Sequence, residues 1–299
     1  MLRESDGALC VFPEGFANRD GSPLPLIVQK RDGGFGYGVT DLAAIRYRLR
    51  TLGATRILYV VGLPQEQHLA MVFQVAREAG WLKPPARARH VGFGSILGSD
   101  GKMLRTRAGA SIKLIDLLRE AEARASALVA ERSADLDEAT RADVAKAVGI
   151  GAVKYADLST ERVNNYVFDW DRMLAFDGNT APYLQYAHAR ICSIFRRAGI
   201  EPPRGVRAVS VGEPAERALA LELLGFSTVC TEVAESLELQ ALAGYLFTLA
   251  TVFTAFYERC PVLRSEGETR RSRLVLCDLT ARVLDRGLGL LGIGAPPRM

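Results

Sequence analysis

Residues 148–190 read VGIGAVKYADLSTERVNNYVFDWDRMLAFDGNTAPYLQYAHAR and lie inside a long segment with helical signals. Toward the N-terminus these signals continue back to Ile112, and before that point strand-like runs alternate with helical spacing. Toward the C-terminus the pattern stays almost wholly helical. The chain is therefore predicted to be α/β first and all-α afterwards.

Strand and helix signals alternate in the first part of the chain. Strands are predicted at Leu24–Gln29, Arg56–Val61 and His90–Leu97, and helices at Asp41–Leu52 and Gln65–Ala79. Strands separated by helices of about 10–15 residues are typical of crossover units, which build a parallel sheet. A fragmentary α/β layer is the expected result.

The second part is predicted to be a helical bundle. Its predicted helices are Lys113–Glu131, Asp135–Val148, Ala181–Ala198, Ala215–Leu224, Ala234–Glu258 and Arg271–Leu291. The segment Gly199–Pro214 is rich in proline and glycine and is predicted to be an internal linker.

Composition bounds the class of protein. With 299 residues and 48% hydrophobic content the chain can hold two ordinary domains, and a net charge of +4 is only mildly basic. The five cysteines contain no Cys-x-x-Cys pair, so neither a disulfide framework nor a zinc site is predicted, and a cytoplasmic location is expected. The start, Met-Leu-Arg-Glu-Ser-Asp, does not have the pattern of a signal peptide.

The uncharged run Leu239–Tyr257 approaches the length of a membrane span. Polar residues interrupt it, and its apolar positions follow helical spacing. The apolar stripe comprises Leu242, Leu246, Leu249, Phe253 and Phe256, and a small-residue face comprises Gly244, Thr248, Thr251 and Ala255. We expect no membrane partner, but a buried bundle helix with one neighbour packed close against the small face.

A glycine-rich stretch, GGFGYGVTDLAA at 33–44, ends where a helix is predicted to start. Thr40 or Asp41 is suited to cap that helix, because either side chain can accept a bond from an unpaired backbone N–H. Capping is one interpretation of these polar residues, and ligand binding is the other.

The stretch at 148–190, the glycine-rich block, Gln65-Glu66-Gln67-His68 and the terminal Arg298-Met299 together resemble the arginine–tRNA ligases, which are class I aminoacyl-tRNA synthetases. The resemblance covers the whole chain but only the second half of the family. It implies a partial Rossmann-like nucleotide-binding domain over residues 1–124. A helical connector and anticodon-binding bundle would follow over 125–299, with a core module at 181–299.

The same resemblance implies that Tyr37, Asp41 and Gln65 recognise the side chain of L-arginine. A carboxylate can accept two bonds from a guanidinium, a tyrosine offers a ring face and a hydroxyl, and a glutamine offers a directional amide. His68 matches the family's Gln-x-x-His, but a structural role is favoured for it.

Two further segments resemble the family's ATP-binding parts, with ATP and magnesium as the implied cofactors. His90-Val91-Gly92-Phe93 begins like a His-x-Gly-His signature but has Phe93 in place of the second histidine. Its position identifies it with a later strand that passes the adenine, so His90, Val91 and Phe93 are the candidate contacts.

The segment GSDGKMLRTRAG at 98–109 resembles a divergent form of the family's Lys-Met-Ser-Lys-Ser loop, whose cations neutralise charge on the ATP phosphates. Lys102, Arg105, Thr106 and Arg107 are its candidate catalytic residues. Arg105 stands where the family usually has lysine, and the two are not interchangeable at a phosphate. A basic surface hairpin without a ligand is the alternative.

In the bundle, the resemblance places Ala187, Arg190, Tyr257 and Met299 at a surface for the arginine-accepting tRNA. A ring such as that of Tyr257 can stack on an unstacked base, although bundle packing is also open for it. The chain departs from the family at Leu239-Gln240 and at Pro297. The run from Arg264 to Arg273 suits phosphate contact or a solvated loop equally.

None of the three histidines, His68, His90 and His188, forms a His-x-Gly-His signature. We therefore expect no adenylate formation by this chain alone. Without the leading strand–helix units that the resemblance implies, the parallel sheet keeps an unpaired edge and an exposed apolar surface. We expect a partner, such as a separate N-terminal half or a second copy in a dimer, or a compensating rearrangement. Three interpretations stay open: half of a split or incomplete ligase, a non-activating paralogue that binds tRNA or arginyl-tRNA for another enzyme, and a pocket reassigned to another reaction.

Overall fold

The computed structural model describes residues 1–98, 100–103, 113–133, 136–203 and 208–299. The chain divides into two compact units, Met1–Ser95 and Ile96–Met299. This division reflects packing, whereas the predicted boundary at 124/125 concerned family modules and stays a prediction. The two units are described separately below.

The first unit contains five strands and two α-helices within Met1–Ser95. They are β1 (Leu2–Ser5), β2 (Ala8–Val11), β3 (Leu26–Gln29), α1 (Tyr37–Arg50), β4 (Arg56–Gly62), α2 (Glu66–Glu78) and β5 (Arg87–Phe93). Strands β4 and β5 pair in parallel from Arg56↔Arg87 to Gly62↔Phe93, which confirms the predicted crossover unit around α2. Strand β3 was predicted correctly, but it pairs antiparallel with β2, so it does not join the parallel sheet.

Helices α1 and α2 pack on one core that also takes side chains from the strands. The helices contribute the fully buried side chains of Ile45, Val72 and Ala76. The strands contribute the buried side chains of Val11 and Leu26. The capping interpretation of Thr40 and Asp41 is wrong. Helix α1 begins at Tyr37, one turn earlier than predicted. The residue before it, Gly36, has an extended backbone and no side chain that could cap the helix.

The second unit is mainly helical. It contains β6 (Ile96–Leu97), α3 (Leu114–Arg132), α4 (Glu138–Leu158), β7 (Tyr166–Val167), α5 (Trp170–Met173), α6 (Ala181–Ala198), α7 (Pro214–Leu224), α8 (Phe226–Ser236), α9 (Leu239–Arg259) and α10 (Gly267–Leu290). Helix α6 has the predicted bounds, because Thr180 caps its start and Gly199 ends it in the left-handed conformation.

Three predictions for the second unit differ from the structure by more than one residue, and the first is α10, which begins at Gly267 instead of Arg271. Helix α4 runs to Leu158, well beyond the predicted Val148. The single helix predicted at 234–258 is in fact two, because Leu237 takes a left-handed conformation with φ 65° and ends α8 before α9 begins.

The apolar stripe of α9 is fully buried in the bundle core, as predicted. The predicted close neighbour on its small-residue face is wrong, since Thr248 and Thr251 are exposed and a Cβ built on Gly244 meets no atom within 4 Å. The close contact lies elsewhere on the helix, where a Cβ added to Gly287 of α10 would collide with the side chain of Leu246. By length and composition alone, α9 is the one helix among the described residues that would suit a membrane span.

A second core cluster joins α3, α4 and the region of β7 and α5. Ala121 and Ala125 of α3 and Val148 of α4 are fully buried there. Helices α3 and α4 come so close at Gly149 that an added Cβ would lie 2.6 Å from the carbonyl oxygen of Ala121. Only glycine permits this backbone approach.

Candidate functional sites

The starts of α1 and α2 bring together two of the three residues predicted to recognise arginine. Tyr37 and Asp41 are four residues apart, so they share one face of α1. Tyr37 is 69% exposed and the Asp41 side chain 33% exposed, so both are open to a ligand. A polar and aromatic pair therefore stands at the surface of the first unit.

His68, in the first turn of α2, contacts both of these residues. Its Nε2 lies 2.7 Å from Oδ2 of Asp41, and its ring centroid lies 4.5 Å from that of Tyr37 with a tilt of 51°. From the sequence, a structural role was favoured for His68, so it was not included among the residues predicted to recognise arginine. The Gln-x-x-His spacing was the available signal, but nothing in the sequence paired His68 with Asp41.

Gln65, the third predicted residue, is the last residue of a 3₁₀ turn, Leu63–Gln65, that leads into α2. It is exposed and lies one helical turn before His68. No contact of its side chain with Tyr37 or Asp41 is seen. The three residues therefore lie at the starts of two neighbouring helices, with His68 in direct contact with two of them.

The predicted adenine contacts belong to β5. The Nε2 of His90 lies 3.0 Å from the carbonyl oxygen of Val61 on β4, and Val91 is buried. Phe93, at the carboxyl end of the strand, is 45% exposed. Parallel sheets bind nucleotides beyond the carboxyl ends of their strands, so the Phe93 ring is the part of this strand best suited to contact a base.

Part of the predicted basic loop is described. The amide of Gly98 donates to the carbonyl of Lys102 at 2.8 Å, and Leu97 and Met103 form an antiparallel bridge, so the segment turns back on itself. Lys102 is exposed at this turn. The other candidate residues, Arg105, Thr106 and Arg107, lie outside the described residues.

The predicted RNA-binding residues of α6 and α9 form an aromatic and basic cluster. The guanidinium carbon of Arg190 lies 5.1 Å from the ring centroid of Tyr257 and 5.7 Å from that of Tyr186. Tyr257 is partly exposed and also stacks on Phe253. Ala187 differs from them, because its side chain is buried in the bundle core.

Hydrogen bonds from helix side chains to backbone carbonyls of the C-terminal tail hold the tail against α4 and α6. The donors are Lys154, Gln185, His188 and Arg196, and the acceptors are the carbonyl oxygens of Gly292, Gly294, Pro296 and Pro297, respectively. Because a carbonyl only accepts, the Nδ1 of His188 carries a proton. Burial lowers the pKa of His188, although the Pro296 carbonyl and Asp285 act in the opposite direction. Met299 packs against the cluster of α3 and α4.

The arginine-rich run before and within α10 is neither wholly solvated nor wholly available for phosphate. Arg264 and Arg271 are exposed, but Arg273 is buried and pairs with Glu216 of α7 at 2.6 Å. Its guanidinium also donates to Ser265 and to the carbonyl of Pro261. For Arg273 both alternatives offered by the sequence are therefore wrong.

Within the ranges that the structure describes, no three His, Cys, Asp or Glu side chains cluster as a metal site would require.

Comparisons with known proteins identify the family of both parts. The family model described as tRNA synthetases class I (R), catalytic domain, matches residues 1–170. The family model described as DALR anticodon binding domain matches residues 184–299. Together they cover most of the chain, on either side of the Asn179–Thr180 segment that leads into α6.

Individual relatives agree with these matches. The chain is 58% identical over 296 residues to an arginine–tRNA ligase of Thermobifida fusca, covering 99% of this chain and 51% of the relative. It is 53% identical to an arginine–tRNA ligase of Frankia casuarinae, covering 100% of this chain and 51% of the relative. The chain thus spans about half the length of the curated relatives it matches.

Solved structures show the same relationship. The arginyl-tRNA synthetase of Plasmodium falciparum superposes with a TM-score of 0.85 at 32% identity, covering 100% of this chain and 50% of that one. The arginyl-tRNA synthetase of Thermus thermophilus superposes with a TM-score of 0.86 at 29% identity, covering 99% and 55%. The matches over residues 1–170 and 184–299 show that the chain belongs to the arginyl-tRNA synthetase family of class I aminoacyl-tRNA synthetases.

Proposed function

We propose that this chain contributes arginine recognition and tRNA binding to the formation of arginyl-tRNA. The observation that carries the proposal is the side-by-side placement of Tyr37 and Asp41 at the exposed start of α1, close to the start of α2. A guanidinium is a planar cation with five N–H donors, and it needs an anionic acceptor and a flat or hydroxyl-bearing partner. Asp41 and Tyr37 supply these two features, and Gln65 would add a directional amide.

ATP is the proposed second substrate. Phe93 would contact the adenine through its exposed ring, whereas the buried Val91 would contribute mainly backbone, and His90 is held by the carbonyl of Val61. Lys102 has the charge and the exposure to approach a phosphate. Bound ATP would supply the adenylyl group that joins the arginine carboxylate as pyrophosphate leaves, and Mg²⁺ would help to neutralise the phosphates.

The helical bundle is the proposed site for the arginine-accepting tRNA. Arg190 can meet phosphate or stack on a base, and the partly exposed ring of Tyr257 offers a stacking platform beside it. The tail that carries Met299 is held at the same bundle by side chains of α4 and α6. These features support a role for Arg190, Tyr257 and Met299, while Ala187 would act only through the packing of α6.

A partner protein is part of the proposal. Leu58 and Val60 of β4 expose large apolar side chains on one face of the parallel pair, which supports the expectation that a separate N-terminal half or a second copy covers this face. A cytoplasmic location is also proposed, supported by the five cysteines, all of which are unpaired.

Arginine binding tests the first part of the proposal. Asp41→Asn should weaken binding of L-arginine by at least about 1.5 kcal/mol, roughly tenfold, because it removes the charge that pairs with the guanidinium. Isothermal titration of wild-type and variant protein with L-arginine measures this, and L-lysine serves as the control ligand. Equal affinity of both proteins for L-arginine would contradict the assignment.

A competition titration tests the second part. Arginine-accepting tRNA should displace a labelled copy of itself better than an unrelated tRNA does at fixed salt, and binding should weaken as salt rises. Equal competition by the two tRNAs would mean that the bundle, with its departures at Leu239-Gln240 and Pro297, does not read the anticodon.

A second candidate function is favoured by the match of the anticodon-binding family model to residues 184–299. In this alternative the chain binds tRNA or arginyl-tRNA for another enzyme and does not activate arginine. Tight binding of tRNA together with no measurable affinity for L-arginine would favour it over the first.

A further inference from the structure

We propose that His68 is the residue that positions Asp41 and Tyr37 for guanidinium recognition. This inference rests on the proposed function, since it assigns a role within the same pocket. The His68 side chain is only 13% exposed, whereas Asp41 is 33% and Tyr37 69% exposed. His68 therefore lies beneath the two residues that would meet the ligand.

A hydrogen bond holds the carboxylate. His68 Nε2 lies 2.7 Å from Asp41 Oδ2, and because an ionised carboxylate only accepts, the proton of this bond is on Nε2. The bond engages one oxygen and makes the two oxygens of Asp41 inequivalent. Oδ1 keeps its full acceptor capacity for a guanidinium, whereas Oδ2 keeps part of it.

A ring contact holds the tyrosine. The Tyr37 ring packs on the His68 ring at 4.5 Å, in a tilted geometry that aromatic rings favour. The ring of His68 lies near Gly38 of α1, where an added Cβ would be in ordinary van der Waals contact with His68 Cε1 at 3.7 Å. Its bond to Asp41 and its contact with Tyr37 together hold His68 beside α1.

Gln65, the third residue proposed for recognition, is the N-cap residue of α2. It precedes His68 by three residues in the chain. His68 is thus bonded to Asp41, packed on Tyr37 and one turn along the chain from Gln65. Among the described residues these relations single it out as the centre of the group.

The consequence is preorganisation. A partly exposed aspartate and an exposed tyrosine each lose rotamer freedom when a ligand fixes them, a cost that weakens binding. His68 removes part of this cost before arginine binds. Losing it should weaken L-arginine binding by about tenfold, the factor that corresponds to about 1.4 kcal/mol.

Two substitutions separate the two contacts. His68→Gln keeps an N–H donor at the same distance along the side chain but removes the ring, whereas His68→Phe keeps a ring but removes the donor. In the full 299-residue protein, L-arginine affinity is measured by titration, and the χ1 rotamers of Asp41 and Tyr37 are measured by NMR coupling constants. Circular dichroism melting verifies that each variant is folded.

We expect His68→Phe to free Asp41 from its single rotamer, to keep the Tyr37 rotamer and to weaken L-arginine binding about tenfold. We expect His68→Gln to keep the Asp41 rotamer, to free Tyr37 and to weaken binding by no more than about threefold, because Asp41 stays in place. The inference is overturned if Asp41 keeps its rotamer and the protein keeps its affinity in His68→Phe, or if Tyr37 keeps its rotamer in His68→Gln. Failure of the proposed function looks different, because wild-type protein and Asp41→Asn would then bind L-arginine equally. The rotamer measurements would still decide whether His68 positions Asp41.

Discussion

Glu216 and Arg273 form a buried ion pair that links α7 to α10. Glu216 of α7 accepts from the amides of Gly212 and Glu213, and its Oε1 lies 2.6 Å from Nε of Arg273 on α10. The Glu216 side chain is 3% exposed. Burial alone would raise the pKa of Glu216, but the two amides and the guanidinium together lower it below its usual range.

Glu216→Gln should destabilise the helical unit by about 3 kcal/mol at pH 7, because it leaves the buried guanidinium of Arg273 without its counter-charge. A lowered pKa means that the contribution of Glu216 is fully present above its unfolded-state pKa and is lost as the pH falls through the folded-state value. The difference between the two proteins should therefore shrink below about pH 4. Urea unfolding followed by circular dichroism at several pH values measures it.

The exposed Glu232 of α8 provides a matched control, and Glu232→Gln should change the free energy of unfolding by no more than about 0.5 kcal/mol. A destabilisation by Glu216→Gln that stays constant down to pH 3 would contradict the role given to its ionised form.

Tyr257 is the residue on which the RNA-binding proposal is most directly tested. Tyr257→Ala should weaken binding of arginine-accepting tRNA by about 1–3 kcal/mol if the ring stacks on a base. Tyr257→Phe retains the stacking ring and should bind within about twofold of wild type, since only the hydroxyl is lost. Filter binding at fixed salt compares the three proteins, and wild-type affinity in Tyr257→Ala would leave the ring as part of bundle packing alone.

At the scale of the elements, the crossing of α3 and α4 depends on one glycine. A Cβ on Gly149 would lie 2.6–2.8 Å from backbone atoms of Ala121 and Glu122, and backbone atoms cannot turn aside as a flexible side chain can. The helices must separate if the position is filled.

Gly149→Ala should therefore destabilise the protein by about 2 kcal/mol, because overpacking outweighs the gain of about 1 kcal/mol in helix propensity. Gly244→Ala is the matched comparison in α9, where the new methyl group meets no atom within 4 Å. It should stabilise by about 0.5–1 kcal/mol. The thermal unfolding midpoint should fall for Gly149→Ala and rise for Gly244→Ala. Shifts of the same sign would refute the packing argument.

At the scale of the whole molecule, the prediction from the sequence is that the 299 residues by themselves do not form arginyl-adenylate. The reaction needs the ATP phosphates and the arginine carboxylate held in line, which a single basic loop does not achieve. Arginine-dependent ATP–pyrophosphate exchange with purified protein and tRNA should equal a no-enzyme control. Binding of tRNA by the same preparation verifies that the protein is folded, and robust exchange would require an ATP site built differently from the one proposed.

The sequence by itself determined the crossover unit around α2, the long helical part and the family. Helix α6 was predicted to the residue because its cap, its period and its terminal glycine are local features within about one turn of each end. The buried stripe of α9 followed for the same reason, since helical spacing alone decides which side chains share a face. Tyr37 and Asp41 were singled out by their spacing and their resemblance to the family, and their roles stay predictions.

Only the tertiary structure decided which distant residues meet. The pairing of His68 with Asp41, the burial of Arg273 against Glu216 and the carbonyl bonds of the C-terminal tail all join segments that are far apart in the chain. The break at Leu237 and the solvent-facing small residues of α9 also depend on how neighbouring helices pack. Periodicity and capping act over a few residues, whereas these contacts depend on how the whole core closes, and for that reason no local pattern in the sequence predicts them.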